Sequence, residues 1–97
     1  MFDFDHWCSW LEGQCQQPPT GRVTLDFRRG QPSPKQGAMV AFKTNRKLIQ
    51  LSFWETGEAD FFGIDLATGG NIVGFNGRTL DDGSFEQNFR ECLSAAT

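Results

Sequence analysis

Three stretches of the chain bring reactive side-chain types close enough to act together. Glu58, Asp60 and Asp65 are near neighbours, and two carboxylates on one face can serve as general acid and general base. In an extended strand Glu58 and Asp60 share a face while Asp65 points to the other. His6, Cys8 and Cys15 supply soft ligands of the kind that hold zinc. Gly69-Gly70-Asn71-Ile72-Val73-Gly74 has the glycine spacing of a phosphate loop.

Each stretch lacks a second requirement. Phe75 and Asn76 stand where Lys and Ser/Thr must reach phosphate and Mg²⁺. There is no Cys-x-x-Cys and no second His to complete a metal site. The carboxylates have no His, Cys or Ser with a supporting base close by in sequence, and no Gly-x-Ser-x-Gly is present. His6, beside Asp5 and near Asp3, reads as a solvated helix start. We therefore expect a binding module and not an enzyme, with no metal and no cofactor.

The elements that must position these residues follow from periodicity. Phe4, Trp7, Cys8, Leu11 and Cys15 recur at helical spacing behind Asp3 as N-cap, predicting a helix over about 3–16 that Pro18-Pro19 and Gly21 stop. Alternation of Val23, Leu25 and Phe27 with polar residues predicts a strand, and Gly30 to Gly37 a loop. Residues 38–43 and 48–55 read as a hairpin with Val40, Phe42, Ile49, Leu51 and Phe53 inward. A further strand over about 58–66 is expected to turn Phe62, Ile64 and Leu66 inward, and one over 72–75 to end at Asn76-Gly77. Phe85, Phe89, Cys92, Leu93 and Ala96 share a helical face behind a Ser84–Gln87 capping box. The expected fold class is α+β, a single domain over 1–97. Its sheet is a meander of about five antiparallel strands between one N-terminal and one C-terminal helix.

The 97 residues allow one domain, and their apolar runs are far shorter than the roughly 20 residues a membrane-spanning helix needs. The acidic opening is unlike a secretory signal, so a cytosolic location is expected, with Cys8, Cys15 and Cys92 as reduced, structural thiols. The net charge of -3 is unevenly spread. Residues 1–50 hold seven bases against four acids, and residues 51–97 eight acids against two bases. The second half points to a cationic partner.

Partner-binding candidates divide into apolar anchors and acids. With Ile49, Leu51 and Phe53 inward, Trp54 points the other way, and on the same reasoning so does Phe61. If only one face of the sheet is covered, these two with Met39 and Ala41 form an apolar patch ringed by charge. Trp10 lies off the main stripe of the first helix and is another candidate. The acids are Glu55, Glu58, Asp60, Asp65, Asp81 and Asp82. Arg22, Arg28, Arg29, Arg46 and Lys47 on a sheet leave open a small nucleic-acid-binding or regulatory adaptor, and a phage-type inhibitor of a host enzyme is a third reading.

The segment Leu51-Ser-Phe-Trp-Glu-Thr-Gly-Glu-Ala-Asp-Phe-Phe-Gly-Ile-Asp-Leu, in a small, acidic, aromatic-rich chain, resembles bacterial immunity proteins of contact-dependent growth inhibition systems. More narrowly, the chain is similar to the TriTu immunity family. The resemblance implies an antitoxin that binds and neutralises a cationic, tRNA-cleaving nuclease toxin domain by covering its active site or RNA-binding surface. It also implies a larger complex with elongation factor Tu; the acidic second half argues against direct contact with nucleic acid, and the short apolar runs against a membrane. No short motif carries individual functional residues over.

Overall fold

Asp3 opens the first helix by accepting the His6 backbone N–H at 3.1 Å, which satisfies one of the amides that a helix start leaves without a partner. The computed structural model describes residues 2–18, 21–30 and 35–96, and in the last strand the side chains of residues 73–76 lie outside that description. Helix α1 spans Phe4–Gln16 and buries Phe4, Trp7, Cys8 and Leu11, the expected stripe. It ends before Pro18, whose ring cannot continue a helix. Part of the predicted loop between Gly30 and Gly37 lies outside the described residues, and a Gly30 N–H to Gly37 carbonyl bond of 2.9 Å closes its ends.

The strands are β1 (Thr24–Arg29), β2 (Gly37–Lys43), β3 (Lys47–Trp54), β4 (Glu58–Asp65) and β5 (Asn71–Thr79). They pair in chain order, every neighbour antiparallel, so the fold is an α+β meander. Helix α2 spans Phe85–Ala96 and turns Phe85, Phe89, Cys92 and Ala96 inward. Its entry differs from the expected Ser84–Gln87 box. Asp81 accepts the Ser84 backbone N–H at 2.8 Å while the Ser84 hydroxyl accepts the Asp81 backbone N–H at 3.0 Å. The reciprocal cap thus sits one turn earlier, because the chain is already turning over 82–84.

Both helices lie on the same face of the sheet. Ala38, Val40, Phe42, Ile49, Leu51, Phe53, Ala59 and Phe61 form one core with the helix residues. Stacked and edge-to-face rings fill it: Trp7 stacks on Phe85 at 4.6 Å between centroids, and Phe85 meets Phe53 at 5.0 Å. Burying each such ring contributes about 2–3 kcal/mol. The ends of the sheet are pinned to the same helices, with Arg29 ion-paired to Asp5 of α1, Lys47 bonded to the Ala95 carbonyl of α2, and Arg78 bonded to Asn88 and Glu91.

Two expectations about the strands are corrected. Phe61 is 8 % exposed in the core, whereas Phe62 is 48 % and Leu66 54 % exposed. The register sets this parity: Trp54, Glu55, Thr56, Gly57 and Glu58 make a hairpin in which Phe53 faces Ala59 and Leu51 faces Phe61. Once Leu51 points inward, Phe61 must as well. Strand β5 also runs on through Gly77 to Thr79 rather than ending at Asn76-Gly77, because Gly77 at φ +67° is absorbed within a strand whose register shifts twice against β4.

Candidate protein-binding surfaces

Strand directions and hydrogen bonds gather an acidic end. The β3–β4 turn is joined to the segment before α2 by the Leu80 N–H bonding to the Gly57 carbonyl at 2.7 Å. That segment is joined in turn to the start of α1, because one Asp82 carboxylate oxygen accepts the Asp3 backbone N–H at 2.9 Å and the Trp7 indole N–H at 2.8 Å. Asp3, Asp5, Glu55, Glu58, Asp81 and Asp82 therefore stand at one end of the sheet. Arg29 and Lys35 stand among them and are ion-paired to Asp5 and Glu58. Carboxylates outnumber bases there, and the end as a whole is negative.

Local structure explains why acids collect at this end. Both helices start here, and the partial positive charge of a helix N-terminus favours anions. Asp3 and Asp81 are caps, and Asp5 and Glu86 lie in first turns. The two bonds from the Asp3 amide and the Trp7 indole hold the Asp82 carboxyl below its ordinary pKa. Glu55 accepts the Gln36 backbone N–H at 3.0 Å and is half-buried. Asp5, Glu58, Asp81 and Asp82 remain exposed.

The other predicted acids lie elsewhere. Asp60 faces out from the middle of β4 and accepts the Gly77 N–H at 2.8 Å. Asp65 is at the opposite end of the sheet, where its carboxylate accepts the Ala67 and Thr68 amides and shapes the β4–β5 turn. Around it stand Lys43, Arg46 and Lys47, near the helix C-termini. The sheet thus has an acidic end and an end bearing Lys43, Arg46 and Lys47, but the ends do not follow the halves of the sequence: Arg29 and Lys35 stand at the acidic end and Asp65 at the other. Asp3 and Asp5 were missed as members of the acidic end; their place at a helix start was legible, but not its closeness to Asp81 and Asp82.

The second surface is the face of the sheet that neither helix covers. It carries Arg28 and Asp26 on β1, Met39 and Ala41 on β2, Leu48, Gln50, Ser52 and Trp54 on β3, and Glu58, Asp60, Phe62 and Ile64 on β4. The Trp54 indole lies across Gly37, where a Cβ atom would come within 2.8 Å of the ring, and Lys35 Nζ sits 5.5 Å from the Trp54 ring centroid. A shallow concavity of about 370 Å³ borders it, lined in part by Arg28, Met39, Ser52 and Trp54. Trp54 is thus on the open face as expected, and Phe62 holds the place expected for Phe61. Trp10 packs edge-on to Trp7 at 5.4 Å and Phe89 at 4.9 Å, in the seam between the helices and not on an open surface.

Among the described residues no group of His, Cys, Asp and Glu is arranged to hold a metal ion. All three cysteines are free thiols, Cys8 and Cys92 buried and Cys15 half-buried. No helix among the described residues is long and apolar enough to cross a membrane. In comparisons with known proteins no family model, curated protein or solved structure matches the chain.

Proposed function

We propose that the chain is a cytosolic immunity protein that uses its acidic end to bind and neutralise a cationic toxin domain of the tRNA-cleaving nuclease kind. The observation that carries this reading is the convergence of Asp5, Glu58, Asp81 and Asp82, from three separate segments, on one exposed end. A nuclease is cationic where it holds phosphates, so a surface of this sign covers that site and speeds encounter with it. The resemblance of the Leu51 to Leu66 segment to contact-dependent growth inhibition immunity proteins supports the same class. Inhibition then needs no chemistry by this chain, only occupation of the toxin's substrate surface.

The test is capture from the native cell by the full chain and by the Asp5→Lys/Glu58→Lys variant in parallel, with the partner identified by mass and its association rate measured. The acidic variant is expected to slow association about tenfold or more at low salt and to flatten the salt dependence. Cells carrying it should lose protection. Arg46→Glu, at the opposite end, serves as control. If the acidic reversal is silent while the basic one abolishes capture, the partner is anionic and the nucleic-acid-binding or regulatory adaptor reading replaces this one.

A further inference from the structure

We propose that Arg29 and Lys35 are built-in occupants of two cation seats at the acidic end, which a protein partner's own arginine or lysine side chains displace in order to bind. The inference rests on the acidic end being the binding surface, and it concerns what limits access to that surface. Each seat joins an aromatic ring to a carboxylate, and in each a cation is seen bound. Arg29 lies over the Phe4 ring, 5.1 Å from its centroid, while Nη2 bonds to the Asp5 carboxylate and, at 3.0 Å, to the Gln36 side-chain oxygen. Lys35 Nζ lies 5.5 Å from the Trp54 ring centroid and 3.0 Å from the Glu58 carboxylate. Arg29 ends β1 and Lys35 precedes β2, so the two ends of one connection fill both seats.

These occupants are exchangeable. The four paired side chains are 43–79 % exposed, and ion pairs so open to water hold little free energy, because water solvates the separated charges nearly as well. Beside the Arg29 seat lies a concavity of about 410 Å³ lined by Phe2, Asp3, Phe4, Asp5, Gln36 and Glu55. It shares Phe4, Asp5 and Gln36 with the seat, so an arriving guanidinium meets the same groups that hold Arg29, with the carboxylates of Asp3 and Glu55 beside them. A lone base from a casual partner exchanges one cation for another and gains little. A partner that brings bases to both seats, and fills the concavity as well, gains contacts that the chain's own bases do not make. Self-occupancy therefore weakens the acidic end toward cations in general and favours a partner whose bases match the two seats together.

Binding of a hexa-arginine peptide to the full chain at low salt tests the proposal. Emptying both seats with Arg29→Gln/Lys35→Met should lower the dissociation constant about tenfold, with slower dissociation as well as faster association, since a vacated seat adds contacts where a change in field alone acts mainly on the association rate. In the wild-type chain the peptide should shift the Trp54 indole N–H resonance as Lys35 leaves the ring. Lys43→Met/Arg46→Gln makes the same change in net charge at the opposite end and should alter the dissociation constant less than about twofold. Peptide binding that is unchanged or weaker in the seat variant, or an equal gain in the opposite-end variant, overturns the proposal. If Asp5→Lys/Glu58→Lys abolishes peptide binding while emptying the seats changes nothing, the acidic end stands as the binding surface and only the occupancy proposal fails. If the emptied seats bind the peptide more tightly but the chain captures no toxin, the proposal holds and the toxin-binding reading fails.

Discussion

The carboxylate of Asp82 accepts the indole N–H of Trp7 at 2.8 Å, across 75 residues of chain. The same oxygen accepts the Asp3 backbone N–H, so one side chain ties the entry of α2 to the start of α1. These bonds, the Asp3 amide foremost, hold the Asp82 carboxyl below its ordinary pKa. A lowered pKa in the folded state gives stability that is fully present above the unfolded value of about 4 and is lost as pH falls below it. Thermal melts between neutral pH and about pH 3 should show this acid loss in the wild-type chain. Asp82→Ala should lower Tm at neutral pH by on the order of 5 °C and flatten that part of the curve. Parallel curves for the two proteins would show that the bond contributes nothing.

Adjacent phenylalanines should respond in opposite ways. Phe61→Ala opens a hole beneath Leu51 in the core and should cost about 3–5 kcal/mol in urea unfolding. Phe62→Ser removes a ring that is 48 % exposed and should cost under about 1 kcal/mol. Equal costs at the two positions would contradict the β3–β4 register.

Gly57 holds φ +90° where a Cβ atom would overlap the Leu80 carbonyl oxygen, and its own carbonyl accepts the Leu80 N–H that brings the acidic turn beside Asp81 and Asp82. Gly57→Ala should cost at least about 2 kcal/mol, since the backbone conformation and the close approach both resist it. Gly69, at φ +75° with open space around it, isolates the conformational part. Gly69→Ala should cost only about 1–2 kcal/mol. A Gly57→Ala variant as stable as wild type would mean that the turn and the Leu80 segment separate freely.

Burial pushes the Cys8 thiol up to about 11 and the Cys92 thiol up to about 12, and raises that of Cys15 as well. Thiolate is the reactive form, so a disulfide reagent at about pH 8 should modify half-buried Cys15 first and reach the other two only on unfolding. Reductant and chelator should leave Tm unchanged. A drop of several degrees with either would reveal a bridge or a bound metal.

The order and kind of the elements were legible because each carries its own period. The Phe4 to Cys15 stripe, the Asp3 cap and the alternation of Ile49, Leu51 and Phe53 need nothing but local geometry to be read. Strand β4 was not legible in the same way, because Ala59-Phe61-Gly63 and Phe62-Ile64-Leu66 both offer an apolar face, and the richer one turned out to face outward. The signal was present in the hairpin: a three-residue connection with glycine at its left-handed position pairs Trp54 with Glu58, and that fixes which parity follows Phe53 inward. Composition by halves likewise showed that acids and bases are segregated, but not where. The meander carries β3 toward one end and β4 away from it, so Glu58 and Asp65, seven positions apart in one strand, lie at opposite ends of the molecule, while Asp3 and Asp82 touch. Periodicity along a single element is a local property that sequence fixes by itself. The face that meets a helix, and the charges that become neighbours, depend on register and on both helices packing against one side of the sheet, and only the folded chain decides those.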